Sequence, residues 1–405
     1  MSDDRVIIGG GGPVGLVCAL GLARAGVPVT VLERADTLLD DPRAATTHPA
    51  TLEVLDELGL EEEVRKAGLV APTFQFWDRV TGDLVAEFDH ALLEGETRFP
   101  YVVQCEQFKT AKIALEHLRR EPLAEVVFGA EVSGVLADET GVTVDVVRGG
   151  NTERLRARWL IAADGARSTI RKAMGIPFEG FTFPEQFVVF TTPFDFEAHR
   201  GYCYRSYFAD PDEWCNCFKV AADGPPGLWR TVFPADPGAT EEELTTDEAV
   251  QARLQKFFPK SGDYDLVHRN VYRVHQRVAA TFRKGRVLLA GDCAHANNPI
   301  GGLGLNGGLQ DAVNLSGKLS RVWHGRGADS LLDLYDIQRR TITTEFVQAQ
   351  TIQNKKRLET KDPEVRKRNL AELRATAADP DAARAFLMRS SMLDAQRRAA
   401  ALELA

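Results

Sequence analysis

The sequence predicts an α/β fold in which a parallel-sheet domain is interleaved with a mostly antiparallel sheet, with helices closing the chain. Three observations predict it. A short apolar run, Arg5-Val6-Ile7-Ile8, meets a glycine turn, then a helical stretch to about Ala25, then a second run, Val29-Thr30-Val31-Leu32. That strand, turn, helix, strand order implies parallel pairing. Two further runs, Trp159-Leu160-Ile161-Ala162-Ala163 and Arg286-Val287-Leu288-Leu289-Ala290, are continuously apolar. Strands covered on both faces read this way, so both return to the same sheet. Between them, from about 187 to 277, aromatics and short extended runs describe a second, mostly antiparallel layer.

The elements follow in order. Gly26 ends the first helix. His48-Pro49 opens the second, with proline at the favoured first position, and Gly59 stops it. Residues 73–77 and 84–88 read as a hairpin about Thr81-Gly82-Asp83, and 106–119 as an amphipathic helix. Residues 131–137 and 142–148 form a second hairpin, in which Val142 and Val144 alternate with Thr143 and Asp145. In the middle layer, 201–208, 214–220 and 227–233 read as strands and 247–257 as a helix. A helix over 308–319 follows, and Asp362-Pro363 and Asp379-Pro380 begin helices near the end. The expected domains are a discontinuous first domain (1–72, 98–182 and 278–345), a middle domain (73–97 and 183–277) and a C-terminal helical segment (346–405).

Composition narrows the function. A chain of 405 residues exceeds the usual single domain. Its 44% hydrophobic and 26% charged residues are an ordinary globular balance. No apolar run approaches a membrane span, and the acidic start Met1-Ser2-Asp3-Asp4 does not resemble a leader. The net charge of -9 disfavours a nucleic-acid partner. Six scattered cysteines fit a reducing cytoplasm. Cys215-Asn216-Cys217 is too closely spaced for a metal knuckle, so no metal is expected.

Three motifs carry chemistry. Gly10-Gly11-Gly12-Pro13-Val14-Gly15 is G-x-G-x-x-G between a strand and a helix, and Glu33 ends the next strand. Gly10 permits the tight turn, Gly12 lets a pyrophosphate approach the backbone, and Gly15 lets the helix pack closely. Unpaired N–H groups of the helix N-terminus suit phosphates, and Glu33 suits ribose hydroxyls. This is a Rossmann-like dinucleotide site. Ala163-Asp164-Gly165-Ala166-Arg167-Ser168 follows a buried strand. Gly291-Asp292-Cys293-Ala294-His295 leads through Asn298-Pro299-Ile300-Gly301-Gly302-Leu303-Gly304-Leu305-Asn306 to Asp311-Ala312. There a carboxylate at a strand end suits a ribityl hydroxyl, and backbone N–H groups at a helix start suit the pyrimidine side of a flavin.

Together these motifs resemble the single-component FAD-dependent aromatic hydroxylases, the family of para-hydroxybenzoate hydroxylase, over roughly residues 5–345. The resemblance implies that Gly10, Gly12 and Gly15 hold the FAD pyrophosphate and Glu33, followed by Arg34, the adenosine ribose. It places Arg43 and Gln104 against FAD, and Asp164 and Arg167 in the motif serving FAD and, indirectly, NAD(P)H. Asp292 would be the ribityl ligand, Pro299 would face flavin and substrate, and Gly304, Leu305 and Asn306 would lie at the flavin's pyrimidine edge. The implied reaction uses NADH or NADPH and O₂ to hydroxylate a small phenolic or aromatic acid substrate through a C4a-hydroperoxyflavin. The tryptophan-rich W-x-W-x-I-P motif of the related halogenases is absent from the sequence. The para-hydroxybenzoate member carries a lysine in the stretch where Leu303 stands here, which argues against identical substrate handling.

Substrate contacts are expected from the middle layer: Tyr202, Tyr204, Arg205, Tyr207, Asn216, Cys217 and Trp229. Strand alternation puts Arg205 and Tyr207 on one face and Tyr202 and Tyr204 on the other. Arg205 reads either as a ligand for a substrate carboxylate or as a surface arginine. His48 reads either as a proton relay or as a helix-start residue beside Pro49. His295 reads as structural or flavin-adjacent rather than as a base. The apolar set Phe386, Leu387, Met388, Met392 and Leu393 predicts that the tail docks, over the FAD domain or in a dimer contact; the protein is expected to be a monomer or homodimer. The alternatives are an FAD-dependent reductase acting on an unsaturated substrate, and a flavin-binding protein without catalysis.

Overall fold

The computed structural model describes residues 3–40 and 43–404. Met1, Ser2, Asp41, Pro42 and Ala405 lie outside the described residues. A six-stranded sheet runs in the order Arg283–Lys284, Val287–Leu289, Trp159–Ala162, Val6–Gly9, Val29–Glu33, Ala124–Phe128. All of its pairings are parallel except that of the edge strand Arg283–Lys284. Val6 pairs with both Trp159 and Val29, so the glycine turn after Gly9 emerges at the centre of the sheet. Each of these apolar runs is buried on both faces, as its lack of alternation requires.

The hairpin Ala130–Ala137 and Val142–Arg148 gains a third strand, Asn151–Ala157, that the sequence reading lacked. Its residues, Asn-Thr-Glu-Arg-Leu-Arg-Ala, are mostly exposed and carry no apolar period. Only pairing to Val142–Arg148 makes them a strand.

The middle layer is an eight-stranded sheet. Its order is His295–Ala296, His268–Ala279, Phe178–Thr192, Leu228–Ala235, Cys215–Val220, Arg205–Ala209, Thr73–Asp78, Asp83–Asp89. It is antiparallel except where Ser206 pairs with Gln75 in a parallel junction. The expected domain limits at 182/183 and 277/278 fall inside two long strands, Phe178–Thr192 and His268–Ala279, which pair with each other. Chain passes between the two layers along these strands.

One strand differs in a way that matters for the site. It begins at Arg205, not near 201. Tyr202 lies before it, buried against Trp77 and Phe208 at ring separations of 5.0 and 4.8 Å. Trp229 is also core, its indole N–H donating to Asp195 Oδ1 at 3.1 Å. Tyr204 lies under the Lys219 ammonium, 5.0 Å from the ring centroid. None of these three aromatics lines the cavity between the two sheets; they pack in or against the core of the middle layer. Aromatic enrichment marks cores as readily as pockets.

The tail folds back on its own chain. Asp362 and Asp379 cap their helices, each accepting from two backbone N–H groups just ahead of it, and a proline follows each cap. Phe386, Leu387, Met388, Met392 and Leu393 are all buried. Phe386 stacks on Phe88 of the Thr73–Asp89 hairpin, with ring centroids 4.4 Å apart. Among the described residues no helix is long and apolar enough to cross a membrane.

Candidate active site

A cavity of about 1510 Å³ runs between the two layers. It exceeds the usual range of roughly 300–1,000 Å³ for a small-molecule site. One end is the glycine turn. A Cβ on Gly10 would overlap the Ala163 carbonyl, and one on Gly15 would overlap the Gly10 carbonyl. Both positions are closed by backbone. Gly12 is different: it has an ordinary φ of -73° and a Cβ there would meet no protein atom within 4 Å. The space beside it opens into the cavity. Glu33 braces this turn, accepting from Gly11 N–H at 2.6 Å and Ala35 N–H at 2.9 Å.

The middle of the cavity is built by two turns that Arg171 ties together. Its guanidinium donates to the Cys293 carbonyl at 2.8 Å and the Ala166 carbonyl at 3.0 Å. Asp164 accepts from Ile170 N–H at 3.1 Å through one oxygen, while Oδ1 is buried without a partner. Asp292 is open to the cavity, and the protein crowded around it pushes its carboxyl up against the pull of His295 and Arg43. Behind this turn, Asp311 accepts from Arg339 Nε at 2.6 Å, His295 Nε2 at 2.8 Å and Gly291 N–H at 3.0 Å. His295 is thus a structural residue, as expected.

Of the residues expected to hold FAD, the structure puts Gly10, Gly12, Glu33, Arg34, Arg43, Asp164, Arg167, Asp292, Pro299, Gly304 and Leu305 on the cavity wall. Gly15, Gln104 and Asn306 are not on it. Gln104 is buried, accepting from Thr46 Oγ1 at 2.9 Å. Asn306 is a staple: Oδ1 accepts from His48 N–H and Nδ2 donates to the Thr46 carbonyl, both at 2.8 Å. His48 is also off the wall. Its Nε2 meets the Gly301 carbonyl at 2.7 Å, so Nε2 carries the proton and the buried Nδ1 has no partner. This geometry supports the turn rather than a relay to substrate. Arg171 and Arg339 were missed, because nothing local in sequence marks an arginine that ties turns together across more than 20 residues of chain.

The donor set fits FAD. The glycine turn with the Pro13–Arg24 helix N-terminus suits a pyrophosphate, and Glu33 and Asp292 suit hydroxyl groups. The second long helix, Leu303–Trp323, starts on the same cavity.

The far wall carries Arg205, Tyr207, Asn216 and Cys217. Arg205 is buried at 5% exposure, its Nη2 donates to Tyr207 Oη at 3.1 Å, and its Nη1 has no partner. Among the described residues no carboxylate neutralises it. Their own burial and then its charge depress both His48 and His90, the latter to about 4.

Comparison with known proteins agrees with this geometry. Residues 3–350 match the FAD binding domain family model. Para-nitrophenol 4-monooxygenase from Pseudomonas sp. (strain WBC-3) is 37% identical over 397 residues, spanning 97% of each chain. The 6-hydroxy-3-succinoylpyridine 3-monooxygenase of Pseudomonas putida (strain DSM 28022 / S16) is 36% identical over 88% of this chain and 89% of that one. The crystal structure of p-nitrophenol 4-monooxygenase from Pseudomonas putida DLL-E4 superposes with a TM-score of 0.92 at 35% identity, over 99% of each chain. A cavity framed by these motifs, on this fold, defines a flavoprotein monooxygenase. The chain belongs to the single-component FAD-dependent aromatic hydroxylases, and the reductase and non-catalytic alternatives fall away.

Two predictions follow from the geometry. Gly12→Ala should leave the apoprotein's melting temperature unchanged within about 2 °C but weaken FAD binding at least about tenfold, measured by flavin fluorescence titration. Equal FAD affinity would contradict the placement. Secondly, His48 and His90 are neutral when folded but take protons near 6.5 when unfolded. Their contribution to stability is therefore complete above about pH 6.5 and is lost as pH falls from there toward 4, by about 1.4 kcal/mol per pH unit for each ring. His90→Gln should flatten the slope of urea-unfolding free energy between pH 6.5 and 4.5; an unchanged slope would contradict it.

Proposed function

We propose that this enzyme uses NADH or NADPH to hydroxylate a small phenol bearing a compact oxygen-rich, electron-withdrawing group. The observation that carries this reading is Arg205, a buried guanidinium with a free donor on the cavity wall and no counter-charge among the described residues. Burying a cation without a partner is costly unless a ligand brings the complement. The nitrophenol monooxygenase relatives support a phenol of this kind.

FAD would be held by the Gly10–Gly12 backbone, Glu33, Arg34 and Arg43 at one end, by Asp164, Arg167 and Asp292 in the middle, and by Pro299, Gly304 and Leu305 at the other. Bound FAD would supply the activation and transfer of oxygen, chemistry that side chains lack. The chain does the rest. Arg205 orients the ring by its substituent, and Tyr207, tied to Arg205, limits how the ring can turn. The positive potential at Arg205 favours the phenolate, the more electron-rich form. Val189, Val232 and Leu305 give that region apolar walls, which restrict water. His48, through Nε2–H to the Gly301 carbonyl, holds the turn that carries Pro299. Of the G-x-G-x-x-G matches only Gly10–Gly15 joins two parallel strands through a helix, which supports a nicotinamide that visits the FAD cavity instead of a second dinucleotide domain.

The experiment is nicotinamide oxidation by the holoenzyme with a panel of phenols, reading oxygen uptake and hydrogen peroxide together. A substrate gives fast oxidation with little peroxide. Arg205→Gln should raise KM for acidic or nitro-substituted phenols by roughly 10–100-fold, the worth of a hydrogen bond to a charged group, with a smaller change in kcat. Arg205→Lys should recover part of it. An unchanged KM in Arg205→Gln would refute the assignment.

A further inference from the structure

A small chamber adjoins the cavity where Arg205 stands. Arg205, Tyr207 and Gly301 belong to the walls of both. The chamber's volume is about 20 Å³, room for roughly one water-sized group. Ile300 of the same turn as Gly301 and the polar Gln350, Asn354 and Ser390 also line it, and its other apolar walls come from two places. Phe74 and Phe76 belong to the hairpin strand Thr73–Asp78. Leu358 and Phe386 belong to the C-terminal helices Ala349–Glu359 and Pro380–Ser390.

These walls are closely packed. Phe76 stacks on Tyr207 at 5.2 Å, and Phe74 lies beneath the Arg205 guanidinium, 5.0 Å from its carbon. Phe386 stacks on Phe88 and Phe74, and Leu358 is 2% exposed. Asn354, one turn before Leu358, donates to the Ile300 carbonyl at 3.4 Å and fixes the helix to the turn at Gly301. A packed interior admits little extra volume.

We infer that this chamber is the socket for the outermost atom of the substrate's ring substituent, whose remainder lies in the main cavity beside Arg205, and that Leu358 and Phe386 set its permitted length. The inference rests on the phenol-hydroxylase reading. Arg205 supplies the donor that a carboxylate or nitro group needs, and the aromatic floor accepts a planar group. An acid chain of several carbons has to displace Leu358 or Phe386. Sequence identity does not make this choice: the nitrophenol and succinoylpyridine monooxygenases are 37% and 36% identical to this chain. The chamber does, in favour of the compact substituent. The C-terminal helices are thereby specificity elements.

The test is binding to the FAD-loaded enzyme, read from the change in flavin absorbance. The ligands are 4-nitrophenol, 4-hydroxybenzoate and 3-(4-hydroxyphenyl)propionate. At least one compact ligand should bind at least about tenfold tighter than the propionate. Leu358→Ala should narrow that gap to below about threefold by improving the propionate, and Phe386→Leu serves as a second, milder enlargement of the same wall. The socket is refuted if the propionate binds as tightly as both compact ligands in the unaltered enzyme. It is also refuted if both variants fold, hold FAD and leave the gap unchanged. Oxygen uptake separates the two levels of the argument. If phenols support uptake but the longer acid is preferred, only the socket falls. If no phenol perturbs the flavin or supports uptake, the phenol-hydroxylase reading falls and takes the socket with it.

Discussion

The Asp311 carboxylate is the interaction on which the cofactor side of the cavity depends. It is wholly buried and gathers Arg339, His295 and the Gly291 N–H around one side chain. Arg339 and His295 hold it ionised, below the ordinary carboxylate value, against the cost of its burial. Removing one partner of such a buried cluster costs about 3–5 kcal/mol, because the remaining charge is stranded. The turn that presents Asp292 is thus fixed from behind. Arg171 fixes it from the side, through the Cys293 carbonyl, to the turn that presents Asp164. A cavity between two layers stays open because its rims are tied in this way.

The opposite wall follows a contrary rule. Asp311 has a full set of partners, whereas Arg205 keeps one donor unused. A saturated buried charge positions; an unsaturated one recruits. On the proposed reading, the difference separates the scaffold from the wall that would meet substrate. Burial first, and then the nearby Arg205 charge, holds His48 and His90 neutral.

Much of this architecture was legible in the sequence, for local reasons. The glycine turn, its flanking strands and Glu33 are all set by short-range backbone demands. The two hairpins showed in alternation, and the Asp-Pro pairs marked helix starts through their own capping oxygens. The rest depends on distance in the chain. Asn151–Ala157 is a strand only because its neighbour pairs with it. Tyr202 and Trp229 carry the composition of a pocket but belong to a core. Gln104 and Asn306 fit their motif, yet their side chains are used for buried hydrogen bonds. The union of Arg205 with Leu358 and Phe386 brings together residues over 150 positions apart, and no spacing rule reports it.

The central claim is that this fold transfers one atom of molecular oxygen into an aromatic ring. Turnover of 4-nitrophenol or 4-hydroxybenzoate under ¹⁸O₂, with mass analysis of the product, tests it most directly. The account predicts one ¹⁸O in the product ring from ¹⁸O₂ and none when the label is in water. Label arriving from water, or nicotinamide oxidation that yields only hydrogen peroxide with every phenol tried, would contradict it.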